Sequence, residues 1–195
     1  MAIQDRRERE RSARRRLIIT TARTLAEAEG WDAVTTRRLS TEIEYSQPVL
    51  YKHFTGMEQI AEAVAIDGFG ELAEAVEGAS SGTGAASDAL THVAHAYLEF
   101  ARDHPEVYDA MFTRATTLHF AAQDTPRQLE AAFAALREAV GNAAGEQDAD
   151  ALTEVFWAAL HGLVTLTRTG RLRPGHDSER LRLLVAQFTN DGKPS

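Results

Sequence analysis

A chain of 195 residues, 44% hydrophobic and 26% charged, is long enough to bury one sizeable core, or a small domain beside a larger one. No stretch reaches the ~18 uninterrupted apolar residues of a membrane span, and the absence of cysteine excludes disulfides and thiol chemistry. The net charge of −8 argues at first against a polyanionic partner, yet residues 1–55 carry eleven Lys and Arg against eight Asp and Glu, a balance of +3 that leaves −11 for the remainder.

The opening "MAIQDRRERERSARRR" lacks the apolar core of an export signal, which with the missing cysteines predicts a cytoplasmic protein. Arg6, Arg7, Arg9, Arg11, Arg14, Arg15 and Arg16 crowd this end; laced with Glu8 and Glu10, the run suits a solvated helix face or a set of phosphate contacts equally well. From about Glu8 to Glu29, the spacing of Ile18, Ala22, Leu25 and Ala26 predicts a helix with one inward face, stopped by Gly30. Trp31 and Val34 then supply apolar anchors. Thr35 or Thr36 can cap a second helix whose inward positions are Leu39 and Ile43. After a break at Glu44, Tyr45 and Ser46, a third helix starts at Ser46 or Gln47, with Pro48 tolerated in its first turn and Leu50 and Phe54 pointing inward.

Two helices of about eight residues around a tight turn form the helix-turn-helix pattern, whose second member lies in the major groove of DNA. With Leu50 and Phe54 buried, Gln47, Pro48, Val49, Tyr51, Lys52 and His53 keep the outward and lateral positions, and Ser46 opens the helix beside them. Gln can pair with adenine edges, Pro and Val can touch thymine methyls, and Tyr, Lys and His can bond phosphates at the groove rim. Arg37 can reach a guanine or a phosphate, and Thr36 offers a hydroxyl at a helix start.

The words "TTRRLSTEI", "SQPVLYKHF" and "EQIAEAVA" resemble the DNA-binding domain of the tetracycline-repressor (TetR) family of bacterial transcriptional regulators over about residues 12–66. The resemblance implies that Thr36, Arg37, Gln47, Pro48, Val49, Tyr51 and His53 meet DNA. Two positions depart from the family pattern. Glu44 stands where glycine is usual, so a positive φ there would cost about 1 kcal/mol. Met57 replaces a phosphate-binding lysine at the start of the fourth helix.

That fourth helix is predicted from Gly56 through Ile60 and Val64 towards Val76, followed by a small-residue linker, "EGASSGTGAASD", over 77–88. Further helices are expected over Asp88–Arg102, from Pro105 in "HPEVYDAMF", over Arg127–Val140, and over 150–169 and 178–189. The last two are apolar nearly all round and so need cover on every side; a second copy of the chain is expected to supply it, in an isologous four-helix interface using Leu152, Phe156, Leu160, Leu163, Leu181, Leu184, Val185 and Phe188. "HPEVYDAMF" and "FWAALHGLVTLTRTGRL" resemble the effector and dimerisation domain of one TetR subgroup. Phe100, Met111, Phe112, Phe133 and Trp157 can line an apolar effector cavity, although aromatic residues at helical spacing usually fill a core. Trp157 and His161 would sandwich a ligand or fix the dimer seam, and the seam is the reading taken. Asp88, His92, His95 and Glu99 share a helical face but read as its wet side, so no metal is expected, and no cofactor.

The expectation is an all-α chain of about nine helices: a helix-turn-helix domain over residues 1–55, with an N-terminal arm over about 1–11, then a helical ligand-binding and dimerisation domain over 56–195. The expected function is a repressor that binds palindromic double-stranded DNA as a homodimer and is released by a small apolar or amphipathic effector. No paired carboxylates, nucleophile with a base, or phosphate-cradling loop points to an enzyme. The competing reading is a helical small-molecule or protein-binding dimer with weak or lost DNA binding, favoured by Glu44 and Met57 and opposed by the intact Arg37, Gln47, Tyr51, Lys52 and His53.

Overall fold

A computed structural model describes residues 2–81, 86–114, 118–119 and 124–189. These residues form nine α-helices and no strand: α1 (Ala2–Glu29), α2 (Thr36–Glu42), α3 (Gln47–Tyr51), α4 (Met57–Ser80), α5 (Ala86–Asp103), α6 (Pro105–Asp109), α7 (Arg127–Gly141), α8 (Ala149–Arg168) and α9 (Asp177–Thr189). A 3₁₀ turn covers Trp31–Ala33, and a π-helical turn, Ala110–Arg114, follows α6. The chain forms two compact units, one of Met1–Gly68 with His104–Asp124, the other of Phe69–Asp103 with Thr125–Ser195.

In the first unit, α1 begins earlier than the apolar spacing predicts. Its first turns have no buried stripe, but arginine and glutamate are good helix formers and pairs such as Arg6–Glu10, 3.6 Å apart, sit at the helical spacing of four. The packed half of α1 buries Ile18, Ile19, Ala22, Leu25 and Ala26. The expected anchors, Trp31 and Val34, are buried, and Trp31 also donates from its indole N–H to the carbonyl of Glu106, 2.9 Å away. The Glu27 carboxylate accepts from the first free N–H groups of α6, Glu106 N at 3.3 Å and Val107 N at 3.0 Å, donors that a helix leaves without an internal partner. Gly68 of α4 admits this segment closely: a Cβ there would lie 2.5 Å from Val107 Cγ1 and 2.9 Å from Met111 Sδ. The α6 segment is thus held by hydrogen bonds from α1 and by backbone proximity from α4.

The second unit is built around α5, which buries Leu90, Val93, Ala94, Tyr97, Phe100 and Ala101 and packs on α7, α8 and α9. The hydroxyl of Tyr97, itself fully buried, accepts from Trp157 Nε1 at 3.1 Å, so the polar ends of both rings are satisfied inside the core. Phe156 of α8 and Phe188 of α9 meet edge-on with centroids 4.9 Å apart. Asp148 caps α8 by accepting from the N–H groups of Asp150 and Ala151. Of the expected linker over 77–88, residues up to Ser80 continue α4 and α5 resumes at Ala86; 82–85 lie outside the described residues. No described helix is long and apolar enough to cross a membrane.

Candidate nucleic-acid interface

The cap of α2 is Thr35, whose hydroxyl accepts from Arg38 N at 3.1 Å. That choice turns Leu39 and Ile43 into the core and sends Arg37 outward, while Thr36 is half-buried. Within α2, the hydroxyls of Ser40 and Thr41 donate to the carbonyls of Thr36 and Arg37 at 2.7 and 3.1 Å. Arg38 is committed elsewhere: it is bonded to Glu42 at 2.8 Å and Glu29 at 3.0 Å, which leaves Arg37 as the outward guanidinium of this turn.

Between α2 and α3 the chain reverses at Glu44, which has φ 56° and is the only described non-glycine residue with positive φ. The left-handed conformation that glycine would adopt freely is therefore imposed on a glutamate. Helix α3 is shorter than expected, five residues rather than about eight. It tightens at its end, where Lys52 N donates to Val49 O, and His53 N and Phe54 N both donate to Leu50 O. Leu50 and Phe54 are buried at 1% and 3% exposure. Ser46, Gln47, Pro48, Tyr51 and Lys52 are exposed, and Val49 and His53 half-buried. The nine residues expected to form the interface thus come from α2, the turn, α3 and the two residues that follow α3, all in one unit.

Arg15 fixes α1 against the end of α3. Its guanidinium lies 4.3 Å from the centre of the Phe54 ring, within cation–π range, and donates to the carbonyl of His53 at 3.3 Å. Burial first, and then the positive field of Arg11, Arg14, Arg15 and Lys52, hold the His53 imidazole below its ordinary range. The surface around α3 is therefore cationic although the whole chain is acidic. These arginines lie some forty residues from His53 in sequence, and the spacing Arg7, Arg11, Arg14, Ile18 is the one local mark of them.

The expected effector residues divide between the units. Met111 is buried near Gly68, and Phe112 lies against Tyr108 with centroids 4.6 Å apart, both in the first unit. Phe100 is buried and Phe133 and Trp157 half-buried in the second. The second unit also carries a groove of about 340 Å³ between α5 and α9, lined by His95, Leu181, Arg182, Val185 and their neighbours; none of the five expected effector residues lines it.

The expected dimer residues fall into two sets by burial. Phe156, Leu160, Leu181, Val185 and Phe188 are enclosed by their own chain, because α8 and α9 turn these positions onto the core of the second unit. Leu152, Leu163 and Leu184 are half-buried, and Val155, Leu166 and Leu183 are exposed at 60%, 38% and 48%. On α8 the open positions 152, 155, 159, 163 and 166 recur every three or four residues and so share a stripe. Trp157 lies off that stripe. Its bond to Tyr97 ties it to α5, and two residues of helical rotation from Val155, or nine from Leu166, put it on the other side of α8. His161, four residues on, follows it; its pKa is lowered by burial, and Thr165 Oγ1 lies 3.5 Å from its Nε2. Asp88, His92, His95 and Glu99 are all exposed on α5, and no group of three or more such side chains among the described residues is placed to hold a metal ion.

Two family models match the chain: bacterial regulatory proteins of the tetR family over residues 18–64, and the tetracyclin repressor-like C-terminal domain over 90–188. The uncharacterized HTH-type transcriptional regulator Rv0681 of Mycobacterium tuberculosis is 33% identical over 161 residues, 80% of this chain and 71% of that one. A protein of unknown function from Rhodococcus sp. RHA1 superposes with a TM-score of 0.76 at 26% identity, covering 91% of this chain and 94% of its own. The structure of RolR in complex with resorcinol has the same fold, with a TM-score of 0.63 at 17% identity over 94% of this chain and 89% of its own. The chain therefore belongs to the TetR family of transcriptional regulators, with its DNA-binding domain at the N-terminus.

Proposed function

We propose that the chain is a ligand-responsive repressor that binds a palindromic operator as a homodimer. The observation that carries this reading is the arrangement on α2 and α3: Leu39, Ile43, Leu50 and Phe54 are buried, while Arg37, Gln47, Pro48, Tyr51 and Lys52 stand exposed. In this reading Arg37 and Gln47 meet base edges, Pro48 and Val49 touch thymine methyls, and Thr36, Ser46, Tyr51, Lys52 and His53 bond phosphates. The dimer forms through the open apolar stripe of α8 with Leu183 and Leu184 of α9, since exposed apolar side chains grouped on one face mark an association site. Two-fold symmetry then sets the heads at half-sites about 34 Å apart.

The effector is a small apolar or amphipathic molecule held in the second unit near Phe100, Phe133 and Trp157, on three helices that pack on one another. That RolR holds resorcinol within the same fold supports a cavity of this kind. A ligand acts only through its preference for one conformation over another, typically 1 to 3 kcal/mol, on the order of 5- to 150-fold. The connectivity suits such coupling. The chain leaves the second unit after Asp103, contributes α6 to the unit that holds the helix-turn-helix, and returns at Thr125. A displacement of α6 would therefore be felt at Glu27 and Trp31 of the head.

Selection of bound duplexes from a random pool tests the proposal. An inverted repeat with half-sites one helical turn apart is expected; no preference for any inverted repeat, at low salt and without small molecules, would overturn it.

A further inference from the structure

The first half of α1 has no core to cover. Every residue from Gln4 to Leu17 is exposed, about 20 Å of helix, comparable to about six base pairs of duplex. Its arginines are not equivalent. Arg7, Arg11 and Arg14 stand four and three residues apart, and four more lead to Ile18, then to Ala22 and Leu25. At that spacing they lie on one helical face, the face whose continuation buries Ile18, Ala22 and Leu25. Arg9 and Arg16 fall on the opposite side and Arg6 on a flank, about 100° round from Arg7; Arg6 pairs with Glu10 at 3.6 Å and Arg9 donates to the carbonyl of Asp5 at 3.2 Å. Arg7, Arg11 and Arg14 form no hydrogen bond or ion pair among the described residues.

The stripe is also held in place. Arg15, at its root, lies over the Phe54 ring and bonds the carbonyl of His53, so α1 leaves the head in a direction fixed relative to α3. Arg11 and Arg14 are near enough to His53 to lower its pKa, making their charge continuous with that of Lys52. An apolar stripe that becomes a guanidinium stripe where the core ends matches a polyanion lying alongside the end of α3.

We infer that Arg7, Arg11 and Arg14 form a second DNA-contacting surface, which grips backbone phosphates of the duplex beside the groove that receives α3. The inference rests on the DNA-binding reading of α3 and extends the contact beyond the residues that read bases. Phosphate contacts of this kind add affinity without changing sequence preference.

The test compares the wild type with R7Q/R11Q/R14Q and with R6Q/R9Q/R16Q. The probes are an inverted-repeat duplex recovered by selection, with long flanks, and the same repeat trimmed to its ends. Three phosphates per subunit, six per dimer, should lower the slope of log K against log salt by about 5 in R7Q/R11Q/R14Q, with the ranking of operator variants unchanged. Trimming should weaken the wild type and leave R7Q/R11Q/R14Q unaffected, and R6Q/R9Q/R16Q should keep most of the wild-type slope. Circular dichroism should show the same helix content in all three, because none of these side chains is buried. If the wild type selects an inverted repeat but R7Q/R11Q/R14Q retains its salt slope, or both triple variants lose it equally, the stripe is not a contact and the reading of α3 stands. If the wild type selects no duplex, both fail.

Discussion

Glu44 offers the sharpest test of the head's geometry. Its φ of 56° places an L-residue in the left-handed region, at a cost of about 1–2 kcal/mol. Its carboxylate forms no hydrogen bond or ion pair among the described residues, so replacing the side chain forfeits no contact. Glu44→Gly removes the steric cost but gives the unfolded chain more freedom, worth about 0.4–1 kcal/mol. The expected net effect is stabilisation of the head by about 0.5–1 kcal/mol, seen as a rise of a few tenths molar in the urea midpoint for a slope of about 1–3 kcal/mol per molar. Glu44→Ala keeps a Cβ in the same conformation and should gain little. Glu44→Gln separates charge from strain: it should leave stability near wild type while strengthening DNA binding through loss of a negative charge. Equal stabilisation by Gly and Ala, or destabilisation by Gly, would refute the strain argument.

Gln47→Ala and Arg37→Ala should each lose about 1–3 kcal/mol of discrimination at one base pair per half-site, measured against a panel of single-base operator variants; uniform weakening across the panel would remove them from base readout. Val155→Arg and Leu183→Glu place charge on exposed apolar positions, so under the proposed dimer sedimentation should show folded monomers of both variants at concentrations where the wild type sediments as a dimer; a monomeric wild type would overturn the dimer proposal. Trp31→Phe deletes the donor to the carbonyl of Glu106 and should cost about 1 kcal/mol in thermal or urea denaturation; no loss would mean that water replaces the indole without penalty. His53 should show a distinct pH signature. Its folded pKa lies below the unfolded value, so the unfolded state binds more protons in that interval, and its contribution to stability falls as pH drops through and below the ordinary imidazole range. Phosphates alongside would favour the charged ring, so operator affinity should rise over the same fall in pH, and His53→Gln should flatten both trends.

The head was legible because its signals are local. The Thr35 cap, the inward pair Leu39 and Ile43, the break at Glu44 and the Leu50–Phe54 spacing all act within a few residues, so the start of α2, the turn and the start of α3 fall where expected, whereas α1 begins about six residues early. The extent of α3 was less so, since the tightening at Lys52 and His53 depends on how Phe54 is held, and Arg15 of α1 holds it. In the second unit, apolar positions on α8 and α9 announced that both helices need cover without saying which side the chain covers itself. Phe156 and Phe188 pack within the chain, whereas Val155 and Leu183 are left open, a choice fixed by the azimuth of α8 against α5. The clasp of α6 by Glu27 and Trp31 joins residues some eighty positions apart, and nothing in either local sequence marks it.

That clasp bears on how such a regulator can be rebuilt. A chimeric protein made by severing the chain after Gly68 and splicing on a foreign sensor would carry a wound: the Trp31 indole N–H and the Glu27 carboxylate would lose the backbone they are bonded to, and the notch at Gly68 would stand bare. A working graft has to bring along residues 104–114 of the donor, or a sensor whose own α6 presents matching backbone groups. The interchangeable module is thus a head together with a loop of chain borrowed from farther along.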